Sequence, residues 1–282
     1  MKKEEHVSIS SKFWLCSADC LCGTLSGLIT GGGMTYFYTK YLGLDEGLAS
    51  IVWMIFAAWN ALNDPLFGYI SDRTKSKLGR RIPYIRYGAL LYGLIFILSW
   101  FLWPFGGSQA ALFVQMLLSL FFFDTFYTAI ATSLYVLPYT MAESNQARSG
   151  IFVWKIFFSL LSLGAPLVLF PLVRPDVGES AGHFQAIMIL LGVVTTLVIF
   201  FSTFFYKEKY TSDATDAPRL WESICQCLKN RAFLVYEVIS FTVIFVQTIL
   251  MQGVIYYFDE FTVPMSLAYA SLGAGAVCGS LL

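Results

Sequence analysis

Charged side chains are scarce in this chain. Only 13% of its 282 residues are Asp, Glu, Lys or Arg, whereas 57% are hydrophobic. Because soluble domains carry roughly 25% charged residues, this deficit excludes an ordinary soluble domain. The charges also cancel to a net charge of zero, so the composition gives no indication of nucleic-acid binding.

Residues that bind metals or perform catalysis are equally few. The two histidines, His6 and His183, lie in polar segments, and the cysteines lack the paired Cys/His spacing of a zinc site. The sequence contains no nucleotide-binding glycine loop and no nucleophile beside a base. We therefore predict that the protein is not an enzyme and that it carries no metal centre and no cofactor.

Most of the chain consists of apolar runs of about 20 residues, the length at which a helix crosses a bilayer. Short polar segments separate eight such runs, which occupy residues 13–38, 47–70, 84–103, 110–137, 151–173, 184–206, 232–258 and 264 onward. This pattern predicts an all-α polytopic membrane protein with the lipid bilayer as its first partner.

The longest polar segment, 207–231, divides the runs into two groups. We predict a cytoplasmic tail at 1–12, a six-helix bundle at 13–206, a cytoplasmic connector at 207–231, and the start of a second bundle at 232–282. That last part would hold the seventh helix and a portion of the eighth.

The placement of Lys and Arg predicts the orientation. Fifteen of the 18 lie in the N-terminal tail and in every second loop, two lie on the other side, and Lys155 lies within a run. Cytoplasmic loops of membrane proteins are enriched in Lys and Arg. The N-terminus is therefore predicted to be cytoplasmic, in an integral protein of the plasma membrane.

Five ionisable residues lie inside the apolar runs, namely Asp19, Asp64, Asp124, Lys155 and Glu237. A charge at mid-bilayer costs at least ~2.5 kcal/mol, so such residues usually face a cavity or a partner. All except Asp124 lie about five to seven residues from the cytoplasmic end of their run, roughly 6–10 Å deep at 1.5 Å per residue. Asp124, near the middle of its run, is expected to face a cavity.

Equal depth and opposite charge suggest that Asp64 pairs with Lys155. Such a pair would be either a cation or substrate site or an ion pair that only holds helices together. Asn60 lies one turn before Asp64 on the same helix face and offers a neutral oxygen ligand. Asp19 and Glu237 are interpreted as polar contacts at helix ends or as gate charges. Tyr127 is a candidate for stacking on a sugar ring.

One stretch, from Asn60 to Gly88, links this polar helix face to a cationic loop. Its motif consists of Asn63-Asp64-Pro65 followed by Gly68, Asp72-Arg73, Gly79-Arg80-Arg81, Pro83 and Gly88. The motif resembles the loop between helices 2 and 3 of the major facilitator superfamily, and its longer form resembles the glycoside–pentoside–hexuronide:cation symporter family. The resemblance implies a bundle of six helices that rocks against a second bundle around a central cavity.

The resemblance also implies roles for single residues. Asp64 matches the family's cation-site aspartate on helix 2, whereas Asn60 stands where the family has a second aspartate. Thr24 stands where the family has a sugar-binding aspartate, and Lys155 where it has an arginine. Substrate contacts are thus expected from Lys155, Thr24, Asp124 and Tyr127. Gly68, Asp72, Arg73, Gly79, Arg80 and Arg81 would form a loop that locks helix contacts at the cytoplasmic face.

The function that the resemblance implies is secondary transport of a small, sugar-like organic solute, with Na+ or H+ as coupling ion. Both sugar-anchoring carboxylates are absent from their expected places, at Thr24 and near Ala131. A proton-coupled carrier, a uniporter, or a degenerate non-transporting member acting as scaffold, receptor or surface antigen are therefore the alternatives.

Overall fold

The computed structural model describes residues 7–103, 107–175, 180–208 and 228–260, with side chains up to residue 246. Every regular element in these ranges is helical, which confirms the all-α prediction. The chain divides into two units, Met1–Ala214 and Thr215–Leu282. The predicted eighth run and most of the connector lie outside the described residues.

The described residues of the first unit form seven α-helices and one π-helical segment. They are α1 (Ile9–Thr30), α2 (Gly33–Tyr36), the π-helix Phe37–Tyr41, α3 (Glu46–Arg73), α4 (Ile82–Leu98), α5 (Gln109–Met141), α6 (Asn145–Val173) and α7 (Gly182–Ser202). In the second unit, α8 (Arg231–Glu260) extends two residues past the predicted run, and Glu237 on it is exposed.

Polar residues at the ends of the runs fix where four helices begin. Ser8, Asp45, Ser108 and Ser144 each accept a hydrogen bond from the backbone N–H three residues later, at 3.1–3.3 Å. A side-chain oxygen at this position satisfies one of the N–H groups that the first turn of a helix leaves unpaired. These local signals therefore set the helix starts.

The first run is interrupted, because Gly32 adopts a left-handed conformation with φ +95°. Side chains rarely adopt this conformation, and glycine does so without a steric penalty. Gly32 is the middle one of three consecutive glycines, and the helix is broken at this point, since α1 ends at Thr30 and α2 begins at Gly33. After it, Phe37 packs against Trp100 and Phe184 with ring centroids 5.6 Å apart.

The helices of the first unit pack in a defined order around one hydrophobic core. α1 packs on α6 and α7, α4 packs on α5 and α7, and α3 packs on α5. The core includes large side chains that are fully buried, among them Tyr92, Phe96 and Trp100. This arrangement decides which of the polar residues on different helices can meet.

Four described stretches are long and apolar enough to cross a membrane: Ile9–Tyr41, Gln109–Met141, Asn145–Val173 and Gly182–Ser202. The apolar helix α4 is shorter, and α3 has 28 residues but carries the polar residues Asn60, Asn63 and Asp64. The protein is therefore an integral membrane protein, as predicted.

Candidate functional site

Polar side chains of α3 and α5 form a reciprocal contact inside the bundle. Asn63 of α3 donates through Nδ2 to the carboxylate Oδ2 of Asp124 at 2.9 Å and to its backbone oxygen at 3.3 Å. Thr128 of α5 donates through Oγ1 to Oδ1 of Asp64 at 2.9 Å. Each helix thus supplies one carboxylate and one donor, and we call these four residues the α3–α5 polar contact.

The packing of α3 on α5 explains why these residues meet. Asp124 and Thr128 are four residues apart and therefore lie on one face of α5, while Asn63 and Asp64 are neighbours on α3. Asn63 and Asp124 are only 5% and 6% exposed, whereas Asp64 is exposed. The contact therefore has a buried half and an accessible half.

The two carboxylates of this contact have no cationic side chain beside them in the described part of the chain. The ion pairs found there join Lys40 to Glu46, Arg81 to Asp72, and Lys155 to Asp19. Carboxylates at membrane depth that lack a protein cation mark ion pathways or proton relays. Among the described residues no group of three or more His, Cys, Asp and Glu could hold a metal ion.

Asn60, predicted to help bind the cation, lies on α3 one turn before Asp64 and is half-buried. It occupies the same helix as Asp64, at the spacing that places two residues on one face. Its role as an oxygen ligand stays a prediction.

The predicted ion pair between Asp64 and Lys155 is wrong. Lys155 Nζ lies 3.2 Å from Oδ2 of Asp19, and their side chains are 15% and 29% exposed. The estimated depth in the membrane was the same for Asp19 and Asp64, so either carboxylate could have paired with Lys155. Because α6 packs on α1, Lys155 meets Asp19. The ring of Tyr135 lies 5.7 Å from the same Nζ.

A double-mutant cycle tests this assignment. Lys155→Ala should cost about 3 kcal/mol of the free energy of unfolding, because it leaves Asp19 partly buried without a cation. Asp19→Ala in the same background should cost much less than it does alone, since the two residues interact. Thermal or denaturant unfolding of the purified protein in detergent measures both values. Lys155→Ala and Asp64→Ala should instead be additive; coupling between them would restore the original pairing.

Two predicted substrate residues belong to the interior of the bundle. Thr24 is buried and donates through Oγ1 to the backbone oxygen of Cys20 at 2.8 Å. Tyr127 is half-buried, and its ring is parallel to that of Phe123 with centroids 6.4 Å apart. Both side chains therefore have protein partners in this structure, and their contact with a solute stays a prediction.

The cationic loop is held by a carboxylate that follows α7. Glu208 accepts the backbone N–H groups of Arg80, Arg81 and Ile82 at 3.0, 2.8 and 3.1 Å. These N–H groups lie at the start of α4, where the helix dipole favours a negative charge. Gly79, immediately before them, has φ +109°. We call this arrangement the Glu208 clasp.

The rest of the loop motif ties α3 to α4. Arg81 Nη2 lies 2.7 Å from Oδ1 of Asp72, and Arg73 stacks over the ring of Tyr69 at 4.1 Å. Gly68 lies within α3, and its backbone oxygen accepts a hydrogen bond from Ser71 at 3.0 Å. Asp72 and Arg81 therefore join α3 to α4, and the loop backbone contacts the start of the connector at Glu208, all within the first unit.

The loop and the described end of the N-terminal tail, from residue 7, lie at one end of the bundle, as the Lys/Arg pattern predicts. Ser11 donates through Oγ to the backbone oxygen of Phe205 at 2.6 Å, and Arg86 donates to Oγ1 of Thr203 at 2.8 Å. The start of α1, the start of α4 and the end of α7 are therefore neighbours.

Sequence reasoning missed Thr128, the partner role of Asn63, and Glu208. The spacing of four residues between Asp124 and Thr128 could have identified Thr128, because it places both residues on one face of a helix. For Glu208 the signal was an acidic residue between Lys207 and Lys209, on the side of the membrane that otherwise carries most of the Lys and Arg.

The sequence of this chain is similar to those of known proteins. Residues 24–281 match the sequence model of a family described as MFS/sugar transport protein. YagG of Escherichia coli, a candidate glycoside/cation symporter, is 25% identical over 270 residues, which are 88% of this chain and 56% of YagG.

Two further relatives show the range of the similarity. The uncharacterized symporter YnaJ of Bacillus subtilis is 26% identical over 260 residues, 90% of this chain and 55% of YnaJ. The sodium-dependent lysophosphatidylcholine symporter 1 of Mus musculus is 30% identical over 168 residues, 57% of this chain and 30% of that protein. The chain thus spans about half the length of the first two relatives.

Proposed function

We propose that this chain, which belongs to the MFS/sugar transport protein family, forms the first bundle of a secondary transporter. Within that family its loop motif resembles that of the glycoside–pentoside–hexuronide:cation symporters. The transported solute is a small, sugar-like organic molecule, and uptake is coupled to Na+ or H+. The protein resides in the plasma membrane with its N-terminus in the cytoplasm, on the argument from Lys and Arg placement.

The observation that carries this proposal is the α3–α5 polar contact. It places two carboxylates, Asp64 and Asp124, on facing helices with no cationic side chain beside them in the described residues. In this proposal Asp64 binds the coupling ion, because its side chain is exposed and reachable, and Asn60 adds a neutral oxygen. Relatives named as symporters support cation coupling.

The solute is proposed to contact the pair formed by Lys155 and Asp19. This pair offers both hydrogen-bond donors and acceptors at a partly exposed position, which suits hydroxyl groups of a neutral solute. Thr24 and Tyr127 would line the interior of the bundle near this pair. Asp124 is assigned to the coupling site instead, because its carboxylate accepts a hydrogen bond from Asn63.

The cationic loop is proposed to hold the cytoplasmic end of the bundle together during alternating access. Asp72 and Arg81 join α3 to α4, and the Glu208 clasp joins α4 to the chain after α7. Gly68, Arg73 and Arg80 complete the loop. A rigid cytoplasmic end lets the bundle move as one body, as rocking transport requires.

Uptake into liposomes tests the function directly. The full-length protein, reconstituted with an inward Na+ gradient or an inward H+ gradient, should accumulate one of a panel of radiolabelled glycosides above its outside concentration. A carrier that equilibrates the solute without accumulation would be a uniporter. Absence of uptake for every solute, with the protein folded, would favour the non-transporting alternative that the missing carboxylates suggest.

A further inference from the structure

A half-buried lysine lies where α1 packs on α6, at the end of the bundle that carries the cationic loop. The Nζ atom of Lys12 lies against α6 at Gly150, where a Cβ atom would be only 2.8 Å from it. Glycine therefore leaves the space that the ammonium group occupies. This group has neither a hydrogen bond nor an ion pair with any residue that the structure describes. Because a partly buried charge is costly unless it is paired, the position calls for an anion.

Aromatic side chains line the surface beside this lysine. Phe13 of α1 packs edge-on against Trp154 and Phe158 of α6, with ring centroids 6.4 and 5.8 Å apart. Trp154 and Phe158 are stacked on each other at 6.4 Å. Phe13 is 44% exposed and the two rings of α6 are half-buried, so the three rings form an accessible apolar wall. We call Lys12, Gly150 and these three rings the Lys12 surface.

The order of these residues along α6 matches the order of groups in a phospholipid. Gly150, Trp154 and Phe158 are spaced by four residues and lie on one helix face, with the two rings about 6 and 12 Å deeper than Gly150 at 1.5 Å per residue. The cation therefore lies at headgroup level and the rings lie at the level of the glycerol and the first acyl carbons. The indole N–H of Trp154 has no acceptor among the described residues, and tryptophan N–H groups at this level of a membrane meet polar lipid groups.

We propose that the Lys12 surface binds one anionic phospholipid, with its headgroup phosphate at the ammonium group of Lys12 and the upper part of an acyl chain against the three rings. The charge decides the class of lipid. A zwitterionic headgroup neutralises its phosphate with its own cationic group, whereas an anionic headgroup leaves its negative charge to a lysine of the protein. The bound lipid contacts α1 and α6 together and stabilises the packing that brings Asp19 to Lys155. This interaction goes beyond the transport proposal and does not depend on it.

Lipid binding can be measured without transport, because a ligand that binds the folded state raises its unfolding temperature. The full-length protein in detergent is titrated with phosphatidylglycerol and, in parallel, with phosphatidylcholine, and the midpoint of the stabilisation is recorded. Phosphatidylglycerol should stabilise the wild type at lower concentration than phosphatidylcholine. Lys12→Gln should raise the midpoint for phosphatidylglycerol about fivefold, the effect of one lysine near anionic lipid. Lys77→Gln removes the same charge from the exposed cationic loop and should leave the midpoint unchanged.

Gly150→Ala tests the position of the ammonium group without removing its charge. The added methyl group would lie 2.8 Å from Nζ, so the ammonium group has to move and the midpoint should rise, as in Lys12→Gln. Alanine favours a helix over glycine, so without lipid this variant should unfold at the temperature of the wild type or above it. Weaker lipid binding is then separated from a failure to fold.

A soluble anion separates a lipid site from a phosphate site. Glycerol phosphate carries the headgroup chemistry but has no acyl chain to contact the three rings. At the concentrations at which phosphatidylglycerol stabilises the wild type, it should therefore leave the unfolding temperature unchanged. Equal stabilisation by both would show that the rings take no part and would overturn the assignment to a lipid.

Other results would overturn the proposal in different ways. Equal midpoints for phosphatidylglycerol and phosphatidylcholine would show that the surface does not distinguish headgroup charge. A midpoint that rises as much in Lys77→Gln as in Lys12→Gln would show a general attraction between basic residues and anionic lipid. A wild-type midpoint in Lys12→Gln or in Gly150→Ala would show that the lipid does not bind at this ammonium group. A wild type that no lipid stabilises, with a lower unfolding temperature for lipid-free Lys12→Gln, would assign the lysine a partner within the protein. Each of these results leaves the proposed transport function standing.

Discussion

Asp64→Asn is expected to abolish the dependence of solute uptake on the coupling cation. The substitution keeps the size of the side chain and an acceptor for Thr128 but removes the charge that would neutralise the ion. A charged group contributes up to about 3 kcal/mol to a hydrogen-bonded contact, which corresponds to a roughly 100-fold loss of cation affinity, so uptake should no longer respond to the cation over the range that saturates the wild type. Initial uptake rates over a series of cation concentrations measure this directly.

The control for this variant is a carboxylate outside the bundle interior. Glu46→Gln removes the charge of the exposed pair with Lys40, and uptake with its cation dependence should stay as in the wild type. Sodium and proton dependence that persist unchanged in Asp64→Asn would show that the coupling ion binds elsewhere, and the roles proposed for Asp64 and Asn60 would then be wrong.

Gly79→Ala is expected to destabilise the bundle. Gly79 has φ +109°, and a Cβ there would lie 2.6 Å from Oε1 of Glu208. The residue would have to leave its conformation or displace the Glu208 clasp. A residue forced into such a conformation costs about 1–3 kcal/mol, and loss of the carboxylate at the start of α4 costs about 1 kcal/mol more.

Thermal unfolding in detergent measures this loss, and Gly164→Ala on α6 is the matched control. A Cβ at Gly164 meets nothing within 4 Å, and alanine favours a helix over glycine by up to about 1 kcal/mol, so this variant should be neutral or stabilised. Glu208→Ala should destabilise in the same direction as Gly79→Ala, and the double variant should be less than additive. Equal stability of Gly79→Ala and the wild type would mean that the clasp does not hold α4.

Much of the fold is determined by the sequence, because the signals that specify it are local. Apolar runs long enough to span a bilayer predicted the helices. Four of the helices begin at polar capping residues, namely Ser8, Asp45, Ser108 and Ser144. The placement of Lys and Arg predicted that the tail and the cationic loop share one end of the bundle, and the contact of Ser11 with Phe205 agrees. Each of these features depends on residues close together along the chain.

The partners of the ionisable residues were decided by the tertiary structure. Depth in the membrane follows from position along a helix, and it allowed Lys155 to pair with Asp19 or with Asp64. Only the packing of α6 on α1 and of α3 on α5 selects between them. That lateral arrangement depends on how side chains of distant segments fit together, which neither periodicity nor charge counting specifies. For the same reason the sequence did not predict that Asn63 contacts Asp124, or that Glu208 contacts a loop more than 120 residues away in the chain.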